Sequence, residues 1–143
     1  MTAWLGLALA LTLQTTPPPT DAWTWTLYNG DGPLVLANEI PDTPRLRATL
    51  ECAPGSSIVR LSLYGADPAT GIAVVTSGAA VANAEVQTRR GRRETMLRAD
   101  HPLFAAFLAN GKLEITVGEQ AVPVEIDRAN LSKLRRFAEL CTG

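Results

Sequence analysis

Residues 112–141 read KLEITVGEQAVPVEIDRANLSKLRRFAELC, and the change of period within this stretch decides the class of fold. Leu113, Ile115 and Val117 alternate with Lys112, Glu114 and Thr116, Gly118-Glu119-Gln120 turns the chain, and Val122, Val124 and Ile126 resume the alternation. A period of two on both sides of a short glycine turn predicts an antiparallel hairpin with one apolar face. Pro123 has no amide hydrogen to give a neighbour, so the second strand belongs at a sheet edge or with that position turned outward. Beyond Asp127 the period becomes helical: Leu131, Leu134, Ala138 and Cys141 follow at spacings of three, four and three, with Phe137 and Leu140 beside them. An amphipathic helix with a cysteine on its apolar face is expected there.

The other cysteine lies in RLRATLEC, residues 45–52, where Leu46, Ala48, Leu50 and Cys52 alternate with Arg45, Arg47, Thr49 and Glu51. This is the pattern of a half-buried strand. Each cysteine is thus on the buried side of its own element, as a Cys52–Cys141 disulfide requires if the strand and the helix pack together. Two cysteines and a single distant histidine have no usual metal-ligand spacing, so the pair reads as a structural crosslink rather than a metal site.

Outward from these elements the chain divides into short alternating runs. Trp23, Trp25 and Leu27 share a face, Asn29-Gly30-Asp31-Gly32-Pro33 breaks the chain, and an extended run from Leu34 to Ile40 follows. Val59, Leu61 and Leu63 alternate after the Ala53-Pro54-Gly55-Ser56 turn, small-residue strands run from Ile72 to Val75 and from Val81 to Thr88, and Arg92 to Arg98 continues as another strand. Asp100 is placed to cap a short helix with Pro102 in its first turn, Leu103, Phe104, Phe107 and Leu108 as its apolar side, and Asn110-Gly111 as its stop. The expected fold is mainly β (α+β): an antiparallel β-sandwich or curled sheet of about eight short strands, with one short internal helix and a C-terminal helix packed on the sheet and tied by the disulfide.

Residues 3–13, AWLGLALALTL, form an apolar run far shorter than the ~20 residues of a membrane-spanning helix. It is the length of a secretory signal core. Residues 1–14 are therefore read as a signal peptide, 15–22 as a proline-rich linker, and 23–143 as one β-rich domain. Two small-residue patterns, Ala8-Leu9-Ala10 and Thr20-Asp21-Ala22, compete as the cleavage site. The reading implies a periplasmic or secreted protein with no transmembrane segment in the mature chain, in a compartment where a disulfide persists. The full chain of 143 residues has a formal charge of −1, 46% hydrophobic residues and 19% charged residues. That balance excludes a disordered chain and disfavours a surface built for nucleic acid.

No catalytic constellation emerges. His101 is the sole histidine and sits between Asp100 and Pro102 at the expected helix start; Ser56, Ser57, Ser62, Ser77 and Ser132 lie in no nucleophile-elbow pattern. No cofactor motif is present either. Trp23, Trp25 and Tyr28 have the flat faces a sugar-binding platform uses, although the shared face of Trp23, Trp25 and Leu27 also suits core residues. The concentrated charge is Arg89-Arg90-Gly91-Arg92-Arg93, four arginines around one glycine. On a hairpin tip, their planar forks suit the phosphate or carboxylate groups of an envelope protein or anionic envelope polymer. The alternative is a solvated turn whose like charges deter edge pairing.

The order of a strand ending in Cys52, then Arg98-Ala99-Asp100, FAAFLANGKLEITV, VPVEIDRANLSKL and finally Cys141 resembles the VasI family of type VI secretion accessory proteins. More distantly it is similar to the invasion-associated locus B proteins. The resemblance runs from about Leu46 to Cys141. It implies a small exported β-rich protein and carries no catalytic residue. The expected function is that of an exported, non-enzymatic binding or accessory protein of the bacterial cell envelope, with a small periplasmic hydrolase acting on cell-wall material as the alternative.

Overall fold

A computed structural model describes residues 22–143; the segment read as a signal peptide, 1–14, and all but Ala22 of the expected linker, 15–22, lie outside the described residues. Nine strands form one sheet: β1 (Thr24–Tyr28), β2 (Leu34–Glu39), β3 (Leu46–Cys52), β4 (Ile58–Tyr64), β5 (Gly71–Ser77), β6 (Ala80–Arg89), β7 (Arg92–Arg98), β8 (Lys112–Val117) and β9 (Gln120–Glu125). The helices are α1 (Pro102–Asn110) and α2 (Leu131–Thr142), the latter entered through a short 3-10 turn, Arg128–Asn130. The spatial order is β1-β2-β3-β4-β7-β6-β5-β8-β9, every pairing is antiparallel, and the sheet curls into a half-barrel. The curled-sheet form of the expected fold is the one adopted.

Strict alternation decides which face is inside. The register aligns Leu36 with Leu50 and Leu61 in one row, and Leu34 with Cys52, Val59 and Leu97 in the next, so apolar side chains cross β2, β3, β4 and β7 on the concave face. Ala73 and Val75 of β5, Leu113 and Ile115 of β8, and Val124 of β9 extend these rows, and all are buried. The helices fill the concavity, α2 against β1 and β2 and α1 against β5 and β6. Phe104, Phe107 and Phe137 are fully enclosed, and the rings of Phe104 and Phe107 meet edge to face at 5.8 Å. Leu134, Phe137, Ala138 and Cys141 are the buried residues of α2.

The disulfide joins the end of β3 to the last turn of α2, linking Cys52 and Cys141 across a Cα separation of 5.6 Å. Backbone bonds from the amides of Gly55 and Ser57 to the carbonyls of Leu140 and Cys141 run beside it, so the β3–β4 turn and the helix end form one tied corner.

The expectation for α1 is corrected at its cap. The N-cap is His101, whose Nδ1 accepts the Leu103 amide at 3.0 Å. Asp100 is instead held by both Nε and Nη2 of Arg98, each at 2.8 Å, so its carboxylate never reaches the first turn. The stop is as the sequence implies. Gly111 adopts φ 72°, its amide closes on Phe107, and its carbonyl accepts the Ile126 amide, while a Cβ there would collide with the Ile126 carbonyl.

Candidate functional site

A half-barrel has two edges, and here they turn toward each other. β9 is an edge strand with Pro123 exposed, as its missing amide hydrogen demands. β1 is the other edge, and the side chain of its Trp25 crosses the seam to donate from Nε1 to the Glu125 carbonyl at 3.1 Å. Lys133 of α2 donates to the Trp25 carbonyl at 2.6 Å and occupies an acceptor on the β1 edge. The indole and the ammonium therefore hold the half-barrel at the seam, which is not closed by backbone pairing.

Along this seam lies an open cleft of about 1270 Å³. Its floor includes the buried side chains of Trp25, Ala48, Leu63, Val124 and Ile126. Its rim carries four cationic residues, Arg47, Lys112, Arg128 and Arg135, against two carboxylates, Glu125 and Asp127. Arg47 stacks on the Trp23 ring with its guanidinium 3.9 Å from the centroid. Among the described residues, Lys112, Arg128 and Arg135 have no carboxylate within ion-pair distance. The cleft thus has a surplus of positive charge on a chain whose formal charge is −1. Such a surface draws anions toward an apolar floor.

The arginine-rich hairpin forms where the sequence places it, but its four side chains part company. Arg90 and Gly91 make the turn, with φ of 52° and 76°, the two left-handed residues of a tight primed turn. Arg89 reaches Gln87 at 3.2 Å. Arg92 is paired with Glu94 at 2.9 Å and with the Tyr64 hydroxyl at 3.2 Å. Arg93 follows the alternation to the concave face and is buried. Only Arg89 and Arg90 remain exposed at the tip, so the crowded four-arginine surface is not formed.

The aromatic cluster separates in the same way. Trp25 is a core residue, Trp23 is covered by Arg47, and Tyr28 is exposed and hydrogen-bonded to Glu39, which raises the pKa of its phenol. No single platform of three ring faces results. The cleft cations went unread in the sequence because they come from four separate places: β3, the start of β8, the 3-10 turn and α2.

Among the described residues, no group of three or more His, Cys, Asp or Glu side chains could hold a metal ion, and no helix is long and apolar enough to cross a membrane. The architecture defines an antiparallel half-barrel stapled by a helix. No protein-family model, curated protein or solved structure matches the chain.

Proposed function

We propose that the protein is an exported, non-enzymatic binding or accessory module of the bacterial cell envelope, and that it holds an acidic partner segment or polymer in the seam cleft. The observation that carries this reading is the cationic rim: Arg47, Lys112, Arg128 and Arg135 surround an apolar floor with only Glu125 and Asp127 to oppose them. The disulfide supports an oxidising compartment, and the apolar run of residues 3–13 supports export to it. The element order that resembles VasI-type accessory proteins supports an accessory role. Arg89 and Arg90 are secondary in this reading, because a two-residue turn presents less converging charge than the cleft.

The test uses two carboxylate polymers of different backbone, poly-glutamate and polygalacturonate. Wild type is expected to bind at least one of them, with an affinity that falls as salt rises. R128E/R135E should weaken that binding by tenfold or more at low ionic strength with an unchanged melting temperature, while R89S/R90S should bind as wild type does. Retention of neither polymer, or a loss that follows Arg89 and Arg90 instead, overturns the cleft assignment. Cleavage of purified cell-wall glycan by wild type, abolished in E125Q/D127N, overturns the non-enzymatic reading.

A further inference from the structure

β9 is paired on one side only. Val117 and Gln120 flank a two-residue turn and so exchange backbone bonds. The alternation of an antiparallel ladder then leaves Ala121, Pro123 and Glu125 with their backbone polar groups turned away from β8. Two features of the edge agree with that parity. The Glu125 carbonyl is reached from across the seam by Trp25 Nε1, and Pro123, which has no amide hydrogen, stands where it breaks no bond to β8.

What remains open on this edge is specific. Among the described residues, the Ala121 N–H, the Ala121 and Pro123 carbonyls and the Glu125 N–H have no partner across the seam, and residues 122–125 line the cleft. The row repeats every two residues, about 7 Å, which is the spacing a second extended peptide presents. A uronate polymer has the charge for the rim but no amides at that repeat. Strand direction gives a second argument. Nine strands joined by antiparallel pairings leave the first and the last pointing the same way, so β1 and β9 cannot meet as the rest of the sheet does. One more strand, running the opposite way, is antiparallel to both. Its alternate side chains would face the apolar floor, and the others the rim of Arg47, Lys112, Arg128 and Arg135.

We propose that the seam cleft takes an extended peptide of a partner protein, acidic and apolar residues alternating, bound as an added strand antiparallel to β9. This rests on the cleft reading above and narrows its occupant from any acidic polymer to a polypeptide.

The probe is a capped peptide of alternating glutamate and valine long enough to span β9, with two derivatives, one N-methylated at every glutamate and one at every valine. In an added strand only one of those two sets of amides points at β9. The parent is expected to bind at low ionic strength and to slow amide exchange at Ala121 and Glu125. One derivative should bind within about twofold of the parent and the other about tenfold more weakly or worse. P123V supplies the missing donor and should tighten binding of the parent by about two- to tenfold. Two derivatives that behave alike, or a bound parent that leaves exchange at Ala121 and Glu125 unchanged, overturn strand addition without touching the cleft reading. Polygalacturonate that binds through Arg128 and Arg135 while the peptide does not overturns the polypeptide assignment alone. If neither binds, both readings fall.

Discussion

The imidazole of His101 does at the start of α1 what a serine or aspartate does in most helices, offering a lone pair to an amide that the helix cannot satisfy itself. Its neighbour Asp100 is spent on Arg98, which holds the carboxyl below the usual carboxylate range through a two-pronged hydrogen bond. The two substitutions should therefore separate. H101A is expected to cost about 1 kcal/mol in urea denaturation at neutral pH, the ordinary loss of a cap. D100N should change little there, because the ion pair is exposed to solvent. Its signature is in acid. A lowered pKa means that the pair's contribution is present above the unfolded carboxylate range and fades as pH falls through the folded value. D100N should accordingly lose less stability on acidification than wild type, by the same small amount that the pair contributes at neutral pH. A large neutral-pH loss for D100N with none for H101A would restore the aspartate cap.

At the scale of elements, the strongest constraint is the bond between β3 and α2, which spans 89 positions of sequence. Closing so long a loop restricts the unfolded chain by about 4 to 5 kcal/mol in the loop-entropy model. Reduction is expected to lower the urea midpoint by a corresponding amount, while far-ultraviolet circular dichroism in the absence of denaturant stays native, because the apolar face of α2 remains packed. An unchanged midpoint would show that the bond adds nothing to the corner already tied by Gly55 and Ser57. The hairpins were largely legible in the sequence. Alternation marks the inward residues of β3, β4, β8 and β9, and the Arg90-Gly91 turn falls at the expected tip. The cap of α1 was not, because Asp100 and His101 both precede Pro102 within two residues and only the side-chain geometry says which one reaches Leu103. The four arginines of the tip divide between two faces for a related reason. Consecutive strand residues point to opposite faces, so Arg92 and Arg93 cannot act on the same surface.

On the scale of the whole molecule, a curled sheet has two edges to protect, and this one turns them into a seam fastened by Trp25 and Lys133. W25F removes the indole donor and some buried volume, and it should cost about 1 to 3 kcal/mol. Amide exchange offers the sharper reading. Faster exchange confined to β1 and β9, with β3 and β4 unchanged, is expected if the seam opens locally; uniform acceleration would mean that Trp25 serves only as core.

The alternating faces, the glycine and proline turns, the amphipathic helix and the inward placement of both cysteines follow from periods of two and 3.6 residues, which are local properties of a chain. The strand order, the meeting of β1 with β9 and the cleft between them do not. They depend on how far nine strands curl before the concave face is filled by Phe104, Phe107 and Phe137, a balance of packing volume and sheet twist summed over the molecule. The cationic rim belongs to that second class. Arg47, Lys112, Arg128 and Arg135 are scattered in sequence and become one surface only because the sheet brings its two edges together, just as Arg93 becomes a buried charge only because the chain must cross from β4 to β5 above it.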